Sequence, residues 1–288
     1  MSDPSLAPGM PSNILDQSAA CLVLHGIRLA YRSGDTRSAI GPVLHTVLEH
    51  VDLSVQAGEL VTLLGQSGSG KSSLLRIAAG LLKPSGGTVR VRGEILAGPR
   101  PDVALAFQDA CLLPWLSVER NVGFGLGFKR QPDLSHEVKR QRVANALRSV
   151  GLSHAAAYTP AQLSGGMAQR VALARCLTRE PRVLLLDEPF AALDEITRAE
   201  MQQLLLGVAR AIGAATLLVT HDIDEALQVS DRIVLLGSQG SLVAQWPIAL
   251  ATPRDPTSPE LADLRLTILR ALHASMQEGR RCEPLQPN

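Results

Sequence analysis

Residues 65–72 form a glycine-rich segment whose residue types are suited to binding phosphate. The segment reads GQSGSGKS, so its glycines, its lysine and its hydroxyl stand at the spacing of a phosphate-binding loop. Backbone N–H groups in such a loop converge on phosphate oxygens, and a following helix adds the positive end of its dipole. Lys71 would supply a positive charge to the β and γ phosphates of a nucleotide, and the Ser72 hydroxyl is suited to Mg²⁺. The residues here that we predict to bind the nucleotide are Gly65, Gln66, Ser67, Gly68, Ser69, Gly70, Lys71, Ser72 and Ser73.

Two adjacent carboxylates follow a separate apolar run, at residues 183–186. If that run is a buried strand, Asp187 and Glu188 stand at its carboxyl end, where ligands bind in open α/β sheets. Asp187 can complete a Mg²⁺ shell, and Glu188 can align a water molecule for attack on the γ phosphate. An isolated Asp-Glu pair is more often a helix start or a surface turn. The phosphate-binding loop in the same chain favours the catalytic interpretation.

A second phosphate-directed segment occupies residues 163–167, which read LSGGM. It precedes an amphipathic run, so Ser164, Gly165 and Gly166 are predicted to form a helix amino terminus. By itself, Ser-Gly-Gly before a helix is usually an N-cap with a flexible entry. The combination with the first loop and the paired carboxylates makes nucleotide binding the better interpretation.

The elements that must position these segments are those of an α/β protein with an aliphatic core. Of the 288 residues, 45% are apolar but only 3% are aromatic, as expected where Val, Leu and Ile fill buried parallel strands. Apolar runs predict strands at 21–31, 51–55, 60–64, 88–92, 103–107, 183–186, 216–219, 233–236 and 242–244. The sheet is therefore expected to be mostly parallel, with an antiparallel part.

Helical periodicity fills most of the remaining chain. A helix after the phosphate loop is predicted to carry Leu74, Leu75, Ala78 and Leu81 on its apolar positions. Residues 115–178 are predicted to be an inserted helical subdomain, in which Gly151 would end one helix. Further helices are predicted around residues 201–212 and 261–272.

Charge and cysteine usage exclude several classes of protein. A net charge of +1 disfavours a broad nucleic-acid-binding surface. The four cysteines lack metal-ligand or disulfide-framework spacing, which suits a reducing compartment. No uncharged apolar run approaches the ~20 residues of a membrane span. We therefore expect a cytoplasmic chain that neither crosses a membrane nor is exported.

Taken in order, these segments resemble the motif set of the ABC ATPases over residues 21–245. The motifs that carry the resemblance are the phosphate loop, Gln108, residues 163–167, Asp187-Glu188, Leu193-Asp194 and His221. The resemblance implies a P-loop NTPase core that binds ATP and Mg²⁺. It also implies that two copies pack head to tail, with each ATP between the phosphate loop of one copy and residues 164–166 of the other.

The resemblance also implies roles for residues that are uninformative alone. Tyr31 is similar to an aromatic residue that stacks on adenine, and Gln108 to a residue that links Mg²⁺ and the attacking water to the transporter interface. His221 resembles a histidine that contacts the γ phosphate, and Asp194 would lie at the dimer seam. Together with Glu188 and Lys71, His221 completes the expected catalytic set.

Two shorter segments resemble a group of importers for nitrate, sulfonates or taurine. They are LLPW at residues 112–115 and PRD at residues 253–255. The implied partners are a second copy of the chain, an integral membrane permease and, indirectly, an extracytoplasmic solute-binding protein, with no nucleic acid. The chain would then lie peripherally on the cytoplasmic face of the inner membrane.

The expected organisation is a disordered lead at 1–20, an ATPase domain at 21–250 and a carboxyl-terminal helix and tail at 251–288. A soluble ABC ATPase that gates a nucleic-acid or ribosome clamp is an alternative function, but long coiled coils and a second ATPase half are missing from the sequence. A small-molecule kinase is a second alternative, and it leaves residues 163–167 and His221 without a role.

Overall fold

The computed structural model describes residues 20–33, 43–238 and 240–282. Ten strands are present in this part of the chain: β1 (Ala20–Ser33), β2 (Val43–Gln56), β3 (Leu60–Gly65), β4 (Gly86–Val91), β5 (Glu94–Ile95), β6 (Val103–Ala106), β7 (Val183–Asp187), β8 (Ala215–Thr220), β9 (Arg232–Leu236) and β10 (Leu242–Pro247). Seven α-helices are present in the same ranges: α1 (Lys71–Ala78), α2 (Val118–Val122), α3 (His136–Ser149), α4 (Gly165–Leu177), α5 (Glu195–Ile212), α6 (Ile223–Val229) and α7 (Pro259–Cys282).

The central sheet has six strands in the order β10-β9-β3-β8-β7-β6. Its pairs are parallel except for the antiparallel edge strand β10. Every residue of β3, β7 and β8 is buried, because both faces of the sheet are covered. The carboxyl ends of these three strands meet at one edge, and the predicted catalytic residues follow them.

A second, antiparallel sheet has the strand order β2-β1-β4-β5. Leucines from its strands share one apolar core with α1 and with the central sheet, as Leu24, Leu74 and Leu217 illustrate. The prediction of a mostly parallel α/β core with an antiparallel part is therefore confirmed.

Helices α2, α3 and α4 form a helical layer beside β6 and β7. Val122, Leu147 and Leu173 join Leu186 of β7 in a common core. Helix α3 ends as predicted, because Gly151 adopts a φ of +73° that favours glycine. The Gly151 and Leu152 amides donate to the carbonyls of Arg148 and Leu147, which completes a Schellman cap.

The predicted apolar face of α1 is wrong at its last position. The helix ends at Ala78, and Leu81 lies outside it with an exposed side chain. Gly80 adopts a φ of +70°, and the Gly80 and Leu81 amides donate to the carbonyls of Ile77 and Arg76. This is a Schellman cap, so Leu81 occupies the position after the terminating glycine.

Helices α6 and α7 cover the outer strands of the central sheet. Leu227, Leu235 and Ile268 share a third apolar core there. Among the described residues, no helix is both long and apolar enough to span a bilayer. The predicted disordered lead lies outside the described residues except for Ala20, which already belongs to β1.

Candidate nucleotide-binding site

The phosphate loop connects the carboxyl end of β3 to the amino terminus of α1, as the sequence predicted. Gly68 and Gly70 adopt φ values of +82° and +98°, a region that is unfavourable for residues other than glycine. At Gly70, a Cβ atom would lie 2.8 Å from Leu48 Cδ2. At Gly65, a Cβ atom would lie 2.6 Å from the Leu236 carbonyl oxygen. The loop therefore depends on glycine both for its conformation and for its close packing.

Lys71 extends its side chain beneath this loop. Its Nζ donates to the carbonyl oxygens of Gly65 at 2.8 Å and of Gln66 at 2.6 Å, and the residue is only 5% exposed. Burial lowers the pKa of the Lys71 ammonium, while Glu188 and Asp187 oppose that shift. Backbone carbonyls thus hold the ammonium in place inside the loop, where it can meet a phosphate.

Ser69 provides a direct observation on whether the loop fits a phosphate. Its Oγ is buried and has no hydrogen-bond partner among the described residues, and the residue is 4% exposed. A buried hydroxyl without a partner costs free energy unless something else satisfies it. A phosphate oxygen held in the glycine-rich loop would supply that partner, so the residues present fit a nucleotide phosphate.

Ser72 and Asp187 come together at the sheet edge. Ser72 Oγ donates to Asp187 Oδ1 at 2.9 Å, and Asp187 is 7% exposed. Burial raises the pKa of the Asp187 carboxyl, and the hydrogen bond from Ser72 partly offsets this. A hydroxyl beside a carboxylate suits Mg²⁺, which usually takes one or two protein ligands and completes its shell with phosphates and water.

Glu188 and His221 lie at the ends of the neighbouring strands β7 and β8. Glu188 adopts a φ of +44°, uncommon for a residue other than glycine, and its amide donates to the Val219 carbonyl at 2.9 Å. Its Oε1 is 3.2 Å from His221 Nδ1. Such backbone strain is typical of functional sites, where the surrounding structure holds it in place. The structure thus brings together two of the three predicted catalytic side chains.

The second phosphate-directed segment begins α4. Ser164 is the N-cap, and its Oγ accepts a hydrogen bond from the Met167 amide at 3.2 Å. Ser164 and Gly165 are exposed, whereas Gly166 packs so closely against Thr197 that an added Cβ would overlap the Thr197 methyl group. The nearest neighbours of Gly165 and Gly166 lie in residues 192–197, outside the phosphate loop.

Asp194 forms a further helix amino terminus beside this segment. It is the N-cap of α5, and its carboxylate accepts from the Thr197 amide at 3.1 Å and from the Thr197 hydroxyl at 2.7 Å. These bonds lower the pKa of the exposed Asp194 carboxyl. Because Thr197 also touches Gly166, the segments that carry Ser164 and Asp194 are packed together as one surface.

Tyr31 and Gln108 are the remaining predicted site residues. Tyr31 lies on β1 and is exposed. Gln108 is exposed after β6, and its carbonyl oxygen accepts from Gln169 Nε2 of α4 at 2.6 Å. Their roles toward adenine and Mg²⁺ remain predictions from the resemblance.

The side chains of α4 that hold the segment after Gln108 were not predicted from the sequence. Arg175 donates to the carbonyls of Ala110 at 2.7 Å and Cys111 at 2.9 Å, and Gln169 holds Gln108 itself. A polar residue on the buried face of a predicted amphipathic helix indicates such a contact, because a buried polar group needs a hydrogen-bond partner. Gln169 is a residue of this type, since it is buried. Helix α4 therefore connects the Gln108 segment to Ser164.

Known proteins are similar to this chain in sequence. The sequence profile of the ABC transporter family matches residues 48–191. The aliphatic sulfonates import ATP-binding protein SsuB 2 of Pseudomonas syringae pv. tomato is 48% identical over 231 residues, which is 80% of this chain and 93% of that protein. The SsuB protein of Pseudomonas entomophila is 44% identical over 265 residues, which is 92% of this chain and 93% of that protein.

Solved structures show the same fold. The dimeric post-hydrolysis state of the ATP-binding cassette MJ0796 bound to ADP and Pi matches with a TM-score of 0.68 at 32% identity, covering 80% of this chain and all of that one. CbiO1 of Clostridium perfringens, part of an ABC transporter complex, matches with a TM-score of 0.69 at 27% identity, covering 89% of this chain and 98% of that one. The phosphate loop, the paired carboxylates and these similarities agree, and the chain therefore belongs to the ABC transporter family as one of its ATP-hydrolysing cassettes.

Proposed function

We propose that this chain is the ATP-binding and ATP-hydrolysing subunit of an importer for a small anionic solute. The observation that carries the proposal is the convergence of Lys71, Ser72 and Asp187 at the carboxyl ends of β3 and β7. Both SsuB relatives are named as aliphatic sulfonate import proteins, which supports a solute of the sulfonate, taurine or nitrate type.

In this proposal the phosphate loop binds the β and γ phosphates of ATP. The backbone amides of residues 65–73 and the dipole of α1 face the phosphate oxygens, and Lys71 adds its charge. The unpartnered Ser69 hydroxyl would donate to one of these oxygens. Tyr31 would stack on the adenine ring, for which its exposed aromatic face is suited.

Mg²⁺ is the proposed cofactor, and Ser72, Asp187 and Gln108 would hold it. The bonded hydroxyl and carboxylate of Ser72 and Asp187 fit its preference for oxygen ligands. When bound, the ion would offset the negative charge of the β and γ phosphates.

Hydrolysis is assigned to the pair formed by Glu188 and His221. Glu188 would orient a water molecule and accept its proton as the water attacks the γ phosphate, while the bridging bond to the β phosphate breaks and ADP leaves. His221, 3.2 Å from Glu188 through its Nδ1, would hold the carboxylate in position and contact the γ phosphate. Lys71 would stabilise the charge that develops on the phosphate oxygens.

The second half of each site would come from another copy of the chain. Ser164 and Gly165 are exposed at the start of α4, and the dipole of that helix favours a negatively charged ligand. Asp194 lies beside them and would form part of the dimer seam. The dimeric cassettes among the structural relatives support this head-to-tail homodimer. Loss of the γ phosphate would then remove the contact that holds the dimer closed.

The remaining partners follow from the importer assignment. An integral membrane permease would carry the solute, and an extracytoplasmic solute-binding protein would deliver it without touching this chain. The ATPase would then lie peripherally on the cytoplasmic face of the inner membrane.

Solute uptake in cells tests this proposal. Deletion of the gene should abolish growth on ethanesulfonate or taurine as the only sulfur source, or on nitrate as the only nitrogen source. Wild-type protein should restore growth, whereas Glu188→Gln protein should not. A tagged chain should also co-purify with a membrane permease. Unchanged uptake of all three solutes, with no permease in the purified complex, would contradict the importer assignment.

A further inference from the structure

Two loops, one of which carries His221 of the proposed hydrolytic pair, are joined by side chains with no assigned role. One loop contains Leu193 and Asp194, and the other contains His221. The connecting side chains are Arg198 of α5 and Glu225 of α6, whose Nε and Oε1 atoms are 3.5 Å apart.

Glu225 holds the backbone on both sides of His221. Thr220 Oγ1 donates to Glu225 Oε2 at 2.6 Å, and the same hydroxyl accepts from the Asp222 amide at 3.1 Å. Asp222 in turn caps α6 by accepting from the amides of Asp224 and Glu225. A movement of the Glu225 carboxylate would therefore displace the residues immediately before and after His221.

Arg198 holds the other loop. Its Nη2 donates to the Leu193 carbonyl oxygen at 3.0 Å, and Leu193 directly precedes Asp194. Its Nε is buried and has no hydrogen bond within the part of the chain that the structure describes, although it lies within ion-pair distance of Glu225. One planar guanidinium thus contacts both the Leu193 carbonyl and the Glu225 carboxylate, a geometry that a lysine cannot reproduce.

The pair is protected from water mainly on the Glu225 side. Glu225 is buried, and burial raises the pKa of its carboxyl, while Thr220, Arg198 and His221 favour the charged form and Asp222 opposes it. Arg198 is partly exposed at the rim of a cleft between α5, α6 and α7. Because a buried charge is costly without partners, the position of each side chain depends on the other.

We propose that Arg198 and Glu225 are positioning residues that couple the Asp194 loop at the dimer seam to the placement of His221 beside Glu188. Closure of the dimer would act on Asp194, shift Leu193 and move Arg198, and Glu225 would transmit that shift to Thr220 and His221. The inference rests on the proposed hydrolytic role of Glu188 and His221. It explains how a site could remain inactive until a second copy arrives.

The test compares catalysis with ATP binding in two conservative variants, Glu225→Gln and Arg198→Lys. For both we expect the Kd for ATP to stay within about twofold of wild type and kcat to fall by about tenfold or more, because small misplacements of catalytic groups are costly. Arg198 is partly exposed, so Arg198→Lys is expected to fold even where Glu225→Gln does not. The Arg142→Met variant breaks the Arg142–Glu180 ion pair away from both loops, and it should keep wild-type kcat.

Combining the two substitutions distinguishes coupling from two separate defects. If the residues act as one connection, the double variant should lose no more kcat than the worse single variant. A kcat within twofold of wild type in either folded variant overturns the inference. A loss of ATP affinity that equals the loss of kcat, or multiplicative losses in the double variant, also overturns it.

Failure of the underlying functional assignment gives a different result. If the wild-type chain does not hydrolyse ATP, or if Glu188→Gln retains turnover, the assignment of the hydrolytic pair is wrong. If wild type is active and Glu188→Gln is inactive while Arg198→Lys and Glu225→Gln are normal, only the coupling inference is wrong.

Discussion

Ser72 Oγ donates a hydrogen bond to Asp187 Oδ1 at 2.9 Å, across 115 positions of the chain. The bond joins the first turn of α1 to the end of β7, so the phosphate loop and the paired carboxylates form one site. A partly buried hydroxyl–carboxylate pair beside a phosphate loop is the arrangement that Mg²⁺ would enter with a nucleotide.

Removing the Ser72 hydroxyl should raise the Mg²⁺ concentration that ATP hydrolysis requires. In Ser72→Ala, we expect the Mg²⁺ concentration for half-maximal ATP hydrolysis to rise by about tenfold or more, because an oxygen ligand is lost. Ser72→Thr keeps the hydroxyl and should stay close to wild type. Titration of ATPase activity with MgCl₂ measures this concentration. If Ser72→Ala and wild type need the same Mg²⁺ concentration, Ser72 is not a ligand of the metal.

Removing the Lys71 ammonium should prevent tight nucleotide binding. We expect Lys71→Ala to weaken ATP binding by about 100-fold or more, because a charge-assisted contact with phosphate is lost. Isothermal titration calorimetry with ATP measures this affinity. Lys83→Ala is a matched control, since Lys83 is exposed and should leave the affinity unchanged. Normal affinity in Lys71→Ala would contradict the phosphate-loop assignment.

Replacing the Glu188 carboxylate should separate ATP binding from turnover. Glu188→Gln is expected to bind ATP normally and to lower kcat by about 10²-fold or more, because a general base is lost. Because the γ phosphate is retained, the variant should elute as a stable dimer when size-exclusion chromatography is run in a buffer that contains ATP. Glu260→Gln, an exposed change in α7, is the control. Rapid turnover by Glu188→Gln would show that Glu188 is not the general base.

The packing of Gly166 on Thr197 predicts an unusual double variant. Gly166→Ala should destabilise the fold by about 1–3 kcal/mol, because the new methyl group overlaps the Thr197 methyl group. Adding Thr197→Ser removes that methyl group, keeps the hydroxyl bonded to Asp194, and should restore most of the loss. Denaturant unfolding measures both.

Gly207→Ala is the matched control for this pair. Gly207 lies inside α5 with open space around it, so its replacement should stabilise the protein by about 0.5–1 kcal/mol. A Gly166→Ala variant as stable as Gly207→Ala would contradict the close packing at the start of α4.

The sequence allows prediction of the parts of the site that depend on local patterns. Glycine spacing, the apolar run before Asp187 and the Ser164 N-cap each act within a few residues, and the structure places them as expected. The end of α1 was misplaced because hydrophobic periodicity continues to Leu81, whereas Gly80 had already terminated the helix. Periodicity alone does not detect a backbone cap.

The contacts that depend on distant parts of the chain were not predictable from sequence patterns. Helix α6 has only seven residues and follows the charged Asp222, so its short apolar pattern gave no clear signal. The connection between Arg198 and Glu225 requires α5 and α6 to pack together, and no spacing rule relates residues on different helices. Such contacts become visible only in three dimensions.

In the proposed homodimer, each active site combines the phosphate loop of one copy with Ser164 of another. This arrangement is tested most directly by mixing Lys71→Ala chains with Ser164→Arg chains and measuring ATP hydrolysis. Each variant alone should be inactive, whereas the mixed dimer contains one site with both elements intact, so activity should appear on mixing. If each site were built within a single chain, the mixture would remain as inactive as its components, and that result would contradict the account.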